Sequence, residues 1–178
     1  KEVEDVKELI KKVNEEIKKI HERSNEEIKR VNEELRKIIK KVKDDLRRVL
    51  EEIERLSREG TDEKEARKLL ERVERIVRKV KDELKKLNDE LDETVKDVAR
   101  KSKELNDRLR EIVKKLVKGE DLLREAEKLV EDSRRSSEEL VRRDKKLVKE
   151  SRETSERLVR DLERLLREIE KRVREEAT

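Results

Sequence analysis

Residues 57–65 read Ser57-Arg58-Glu59-Gly60-Thr61-Asp62-Glu63-Lys64-Glu65 and contain one of only two glycines in the chain. Glycine is favoured directly after a helix, because it adopts the left-handed conformation without a clash at Cβ. Thr61 or Asp62 can then supply the oxygen that caps the next helix, and Glu65 stands three residues after Asp62, as in a capping box. The segment therefore predicts the end of one helix and the start of another.

The second glycine, Gly119, stands in the similar segment Lys118-Gly119-Glu120-Asp121-Leu122, where Asp121 is the expected N-terminal cap. The chain contains no proline. Two short loops at Gly60 and Gly119 predict helices over about 2–58, 62–117 and 121–177, and loops this short make neighbouring helices antiparallel. We predict an all-α fold, a straight up-down-up antiparallel three-helix bundle that forms a single domain over 1–178.

The composition combines a high charge with few apolar residues, which often indicates disorder. Charged residues make up 58% of the chain, but 54 basic and 50 acidic residues nearly cancel to a net charge of +4. Opposite charges recur at i,i+4 spacing, as in Glu71 and Arg75, which is typical of exposed helix faces. Cys and all aromatic residues are missing, which excludes disulfides, cysteine-based sites and aromatic stacking on nucleic-acid bases.

The apolar positions repeat every 18 residues. In the second predicted helix, the first half of the stripe is repeated 18 residues later in the second half: Ala66, Leu69, Val73, Val77 and Val80 become Leu84, Leu87, Leu91, Val95 and Val98. Eighteen residues are about five turns of 3.6 residues, so the stripe keeps its direction along a straight helix. This repeat favours long, ordered helices over disorder.

Polar residues interrupt the apolar stripe at levels that the two reversals should bring together. Two predicted levels hold Asn14, Asn106 and Ser133, and Asn32, Asn88 and Ser151. A third, between them, holds Asn25, Thr94 and Asp144. A buried polar group without a partner costs about 1–3 kcal/mol. We therefore expect the members of each level to bond across helices and to fix the helix register.

The other polar members of this predicted network are His21, Ser24, Ser102, Ser136, Ser137, Thr154 and Ser155. His21 lies within about one turn in height of Ser24, Ser102 and Ser137, and its partner among them stays open. We expect Thr154 and Ser155 to bond to carbonyl groups of their own helix.

Ser137, His21 and Asp144 invite comparison with a catalytic triad, because they fall within a few turns of one another. Nucleophilic catalysis also needs an oxyanion hole and a substrate pocket, which a close-packed bundle without loops does not offer. His21 is the only histidine, so no second one completes a metal site. We expect no enzymatic activity, no catalytic residue, no metal and no cofactor.

Nucleic acid and membranes are not expected partners. The longest basic clusters, such as Arg142-Arg143 with Lys145-Lys146, are short and flanked by acidic residues. The chain has no apolar run near twenty residues and no segment typical of a signal peptide. We expect a soluble protein, cytoplasmic if it is expressed in bacteria.

The 18-residue stripe, the two glycine-centred loops and the Asn/Ser/Thr levels resemble de novo designed helical bundles with buried hydrogen-bond networks. The resemblance covers the whole chain. It implies a structural scaffold without a natural substrate or required partner, and we expect a monomer. The alternative is a helix-binding module, a three-helix chain whose open side accepts a fourth helix or self-associates into a homo-oligomer.

Overall fold

The structure, a computed structural model, describes residues 2–60 and 62–176. It contains three helices, α1 (Glu2–Glu59), α2 (Glu63–Leu116) and α3 (Glu120–Glu176). Val6 near the start of α1, Val113 near the end of α2 and Ala126 near the start of α3 belong to one buried cluster. Adjacent helices therefore run in opposite directions, and the predicted all-α three-helix bundle is confirmed.

The first turn follows the sequence signals closely. Gly60 adopts a φ of +85°, in the left-handed region where glycine is favoured. Asp62 caps α2, because its carbonyl oxygen accepts from the amide of Ala66 over 3.1 Å and its Oδ1 accepts from the amide of Lys64 over 3.3 Å. Of the two predicted caps, Asp62 takes this position, and Thr61 lies outside the described residues.

The start of α3 differs from the prediction. The amide of Leu123 donates to the carbonyl oxygen of Gly119 over 3.0 Å, and α3 begins at Glu120. Gly119, with a φ of +116°, therefore occupies the cap position itself, which glycine tolerates well. Asp121 lies in the first turn, so its prediction as the cap was wrong. Its carboxylate there still interacts favourably with the positive end of the helix dipole.

Replacing Gly60 with alanine tests the conformation of the first turn. Gly60→Ala should lower the free energy of unfolding by about 1 kcal/mol, because a Cβ is unfavourable in the left-handed region. The cost is purely conformational, since no heavy atom lies within 4 Å of the added Cβ. Gly60→Asn should cost less, because asparagine enters this region more readily. Urea denaturation measures both variants, and equal midpoints for Gly60→Ala and the parent would contradict the assignment.

The described residues form two compact units. Unit 1 contains residues 2–30 and 90–149, and unit 2 contains residues 31–60, 62–89 and 150–176. Each unit has an aliphatic core on the predicted stripe. Its most deeply buried members, at most 1% exposed, include Val6, Leu91 and Leu109 in unit 1 and Val49, Val73 and Leu84 in unit 2. Within the described residues, no helix combines the length and the apolar character needed to cross a membrane.

Leu91 tests the core of unit 1, because its side chain is 0% exposed. Leu91→Ala should lower the free energy of unfolding by about 2–5 kcal/mol, since the lost side chain leaves a cavity among its neighbours. Leu116→Ala is the matched control in the same helix, because Leu116 is 51% exposed and should change stability far less. Chemical denaturation compares the two, and similar losses would contradict this assignment of the core.

Candidate functional site

A chain of buried hydrogen bonds connects all three helices in unit 1. His21 Nδ1 on α1 and Asp144 Oδ2 on α3 are 2.8 Å apart, and both residues are 4% exposed. Carboxylate oxygens accept hydrogen bonds, so the N–H at Nδ1 donates to Asp144. Ser102 Oγ on α2 lies 3.4 Å from Nε2, within hydrogen-bonding distance. One polar side chain from each helix therefore takes part.

These hydrogen bonds identify the residues that contact His21, and they correct the third predicted level. Ser102 contacts the imidazole, whereas Ser24 is buried with a hydroxyl oxygen that has no hydrogen-bond partner. Asp144 pairs with His21 rather than with Asn25 or Thr94. Asn25 is exposed, and Thr94 Oγ1 donates to the carbonyl of Glu90 in its own helix over 2.9 Å. The predicted Asn25–Thr94–Asp144 level was therefore wrong.

Ser102, His21 and Asp144 occur in the order of the nucleophile, base and carboxylate of serine hydrolases. Ser102 is only 2% exposed, however, and it lies inside α2, where backbone N–H groups donate to carbonyls one turn earlier. The surrounding helix backbone therefore has no free donors for an oxyanion. The geometry of Ser102, His21 and Asp144 is that of a series of hydrogen bonds that connects the three helices. In the part of the chain that the structure describes, no group of three or more His, Asp or Glu residues is placed to hold a metal ion.

Two hydrogen bonds of the same kind join α1 and α3, one in each unit. In unit 1, Ser133 Oγ donates to Asn14 Oδ1 over 2.5 Å. In unit 2, Ser151 Oγ donates to Asn32 Oδ1 over 3.0 Å. The two residues of each pair are 119 positions apart in the sequence. Asn32 and Ser151 each stand 18 residues after Asn14 and Ser133, so the same bond recurs with the 18-residue repeat. The serines are buried, whereas Asn32 is half-buried and Asn14 is exposed.

The asparagines of α2 do not join these pairs, contrary to the predicted three-residue levels. Asn106 Nδ2 donates to Ser137 Oγ on α3 over 3.0 Å, and Asn88 Nδ2 donates to the carbonyl of Leu84 in its own helix over 2.9 Å. Equal height along a bundle does not fix the direction in which a side chain leaves its helix, which explains the difference. The amide oxygens of Asn88 and Asn106 are buried and have no hydrogen-bond partner.

Ser136 and Thr154, two of the remaining predicted polar positions, lie at the edge of the stripe. Ser136 and Thr154 are exposed, because each points roughly 85° away from the centre of the buried face of α3 at about 100° per residue. Their predicted burial was wrong. Thr154 Oγ1 donates to the carbonyl of Glu150 over 2.9 Å, and the buried Ser155 Oγ donates to that of Ser151 over 3.0 Å. This is the local bonding expected for Thr154 and Ser155.

Grooves lie between α2 and α3 in each unit. Unit 1 has two adjoining grooves of about 460 and 540 Å³, both lined by Asn106. Unit 2 has a groove of about 370 Å³ that is lined by Asn88. Each of the two asparagines with an unpartnered amide oxygen therefore lies in the wall of a groove.

Ion pairs connect the helices at the surface. Arg30 Nη2 on α1 lies 2.6 Å from Glu90 Oε1 on α2 in unit 1, and Lys81 on α2 pairs with Glu163 on α3 in unit 2. The hydrogen bond from Lys81 holds the pKa of Glu163 below its ordinary value. This pair therefore stabilises the fold above the ordinary pKa of a glutamate, and the contribution is lost as the pH falls through the lowered pKa. Exposed pairs of this kind contribute little to stability.

The buried pair of His21 and Asp144 should respond strongly when one partner alone is replaced. His21→Leu should lower the free energy of unfolding by about 3–5 kcal/mol, because Asp144 is left as a buried polar group without its donor. The double variant His21→Leu, Asp144→Leu should recover most of this loss, since both polar groups are then removed. Urea denaturation of the parent, both single variants and the double variant gives the coupling energy. Additive losses would contradict a direct bond.

No protein-family model and no curated protein matches the chain. Among solved structures, the chain is similar to one described as a "Computationally designed three helix bundle". The two share 21% sequence identity with a TM-score of 0.87, and the match covers 99% of this chain and 90% of that chain. At this identity the likeness concerns the fold alone, and the fold it supports is the three-helix bundle.

Proposed function

We propose that this chain is a structural scaffold of designed origin, in which polar side chains at the contact between α1 and α3 set the register of these two helices. The computationally designed bundle with the same fold supports the designed origin, together with the regular repeat of the sequence. The observation that carries the register role is the repeated Asn–Ser bond. Asn14 pairs with Ser133 in unit 1, and Asn32 pairs with Ser151 in unit 2.

The physical argument concerns what happens when one helix slides along another. A shift of one turn, about 5.4 Å, replaces apolar contacts with similar ones, because Leu, Val and Ile recur along each stripe. The same shift separates each serine from its asparagine, and a buried hydroxyl left unpaired costs about 1–3 kcal/mol. The polar pairs therefore discriminate between registers that the aliphatic core tolerates.

No enzymatic activity belongs to this proposal. The Ser102–His21–Asp144 chain is buried, and each of its members is at most 4% exposed. The low exposure of all three residues and the lack of free backbone donors around Ser102 support a role in helix packing rather than chemistry.

Removing both partners of the Asn–Ser pairs tests the register role. We expect the variant Asn14→Leu, Ser133→Ala, Asn32→Leu, Ser151→Ala to keep or raise the midpoint of urea denaturation, because no polar group is left unpaired. It should nevertheless lose the single register, which appears as weaker amide hydrogen exchange protection in α3 and extra sets of NMR resonances.

The matched control carries substitutions at polar positions that the structure leaves exposed, Asn25→Leu, Ser136→Ala and Thr154→Ala. This control should keep the exchange protection and the single set of resonances of the parent. If the variant without Asn–Ser pairs behaves like the control, the register role is wrong.

A further inference from the structure

We propose that the α1–α3 face of unit 1 is a dimerisation surface, on which two parallel copies of this chain pack with α1 of each copy against α3 of the other. This inference goes beyond the scaffold role and concerns side chains outside the Asn–Ser pairs. Three features of the face carry it: a row of partly exposed leucines, opposite charges on its two rims and the match of these charges in height.

The leucine row lies on α3, beside its contact with α1. Leu122 and Leu147 are 39% and 46% exposed, and the half-buried Leu129 and Leu140 lie between them. At about 100° per residue all four leucines project within about 40° of Ser133, the residue that bonds to α1. Exposed apolar side chains that line up on one face and are bordered by polar residues are typical of a protein–protein contact.

The same projection places the leucine row on the α1 side of α3 rather than on the α2 side. Ser137, which accepts a hydrogen bond from Asn106 on α2, projects about 40° from Ser133 in the direction opposite to the leucines. None of the four leucines lines the grooves between α2 and α3 in unit 1. The α1–α3 face is therefore a separate surface from those grooves.

The two rims of this face carry opposite charges. The α1 rim is the strip of α1 beyond Asn14, the α3 rim is the strip of α3 beyond the leucines, and each extends to about 140° from the centre of the buried face of its helix. The exposed charged residues of the α1 rim in unit 1 are all basic. Those of the α3 rim are acidic except Arg143, which pairs with Glu139 over 3.2 Å. The basic residues are Lys7, Lys11, Lys18 and Lys29, and the acidic residues are Asp121, Glu125, Asp132 and Glu139.

Charges on both rims are available to a second chain. Lys7 and Lys11 on α1 form no ion pair with any residue that the structure describes, and the same holds for Glu125 and Asp132 on α3. Complementary charges across an interface give specificity and a faster encounter. A surface with one basic and one acidic rim can supply both members of such pairs to a copy of itself.

The charges of the two rims also match in height along the helices. Residues of α1 and α3 that stand 119 positions apart are level, as the two Asn–Ser bonds show. Glu125 stands 118 positions after Lys7, and Asp132 stands 121 positions after Lys11. Each of these lysines therefore lies within about 3 Å in height of its acidic counterpart, at about 1.5 Å per residue.

A two-fold axis parallel to the helices makes this face self-complementary. Such an axis preserves height and places α1 of one copy against α3 of the other. Lys7 then faces Glu125 of the second copy, Lys11 faces Asp132 of the second copy, and the two leucine rows meet at the centre. An antiparallel arrangement would instead place α1 against α1 and bring lysines together, which is unfavourable.

The size of the face also favours a second copy. The row from Leu122 to Leu147 is about 37 Å long, and two adjacent helices are about 20 Å wide. The face therefore offers roughly 700 Å² per copy, close to the about 800 Å² per partner of a standard stable interface. A single added helix, about 10 Å wide, would cover only about half of this width.

Sedimentation equilibrium of the full chain tests the proposal. Between about 1 and 500 μM we expect a reversible monomer–dimer equilibrium with a micromolar dissociation constant, rather than the monomer expected from the sequence. The variant Leu122→Lys, Leu147→Lys should dimerise at least about tenfold more weakly, because it places charges at the centre of the interface. The matched control is Ile112→Lys, Leu116→Lys, which changes residues of α2 that are 42% and 51% exposed and should dimerise like the parent.

Charge reversal tests the parallel arrangement. Lys7→Glu with Lys11→Glu makes both rims acidic, whereas Glu125→Lys with Asp132→Lys makes both rims more basic. Each of these double variants alone should dimerise at least about tenfold more weakly than the parent at low salt, because like charges then meet. An equimolar mixture of the two should restore dimers as heterodimers, since acidic rims then meet basic rims, and the restoration should shrink at high salt.

Several results would overturn the proposal. These are a parent chain that stays monomeric up to about 1 mM, equal weakening in the leucine variant and its control, and a mixture that dimerises no better than its separate components. Loss of dimers in the control alone would place the interface on α2. A monomeric chain that binds a leucine-faced helical peptide, and loses this binding in the leucine variant, would assign the face to a separate helix.

Circular dichroism and urea denaturation verify that each variant is folded, and Leu147→Lys alone provides a second variant if the double leucine variant is not. Failure of the dimerisation experiment leaves the scaffold proposal intact, because that proposal rests on the Asn–Ser pairs within each chain.

Discussion

A core of Leu, Val and Ile stabilises the packing of the helices, but it does not define the position of each helix along the axis of its neighbour. The hydrophobic effect is non-directional and depends mainly on the apolar area removed from water. Hydrogen bonds, in contrast, need a short distance and a defined angle. Among the described residues, the directional contacts between helices include the His21–Asp144 pair, the Asn106–Ser137 bond and the two Asn–Ser bonds. Under the proposal above, the Asn–Ser bonds select one register of α1 against α3.

The many charged residues at the surface form ion pairs, largely within single helices. Arg134, for example, pairs with Glu131 and Glu138 one turn before and after it on the same helix. Such contacts support a helix locally, but exposed pairs add little to tertiary stability. They also recur in many equivalent positions, so they discriminate poorly between alternative arrangements of the helices.

Buried polar groups with and without hydrogen-bond partners are distributed unequally among the three helices. Between α1 and α3, the asparagine oxygens of both Asn–Ser pairs are bonded. Along α2, both Asn88 and Asn106 keep an amide oxygen without a partner in the wall of a groove. Ser24 on α1 also has a buried hydroxyl oxygen without a partner, so unsatisfied polar atoms occur on both α1 and α2.

Local chemistry was sufficient to predict the helices. A glycine with positive φ, a capping aspartate and an 18-residue stripe act within a few turns, so α1 and α2 end and begin close to where Gly60 and Asp62 indicate. Counting from the loops also gave the height of each residue along the bundle, which is why Asn14 meets Ser133 and Asn32 meets Ser151. Only the cap of α3 departed from this reading, because glycine itself can cap a helix.

Side-chain direction depended on the packed helices. Height along the bundle is only one coordinate of a residue. Whether two residues at the same height form a hydrogen bond also depends on the rotation of each helix about its axis and on the distance between the axes. These two quantities come from the packing of whole helices, so counting residues could not predict that Asn106 bonds to Ser137 or that Asp144 reaches His21. Asn25, Ser136 and Thr154 are exposed, and for Ser136 and Thr154 the angle of roughly 85° from the centre of the buried face already accounts for their exposure.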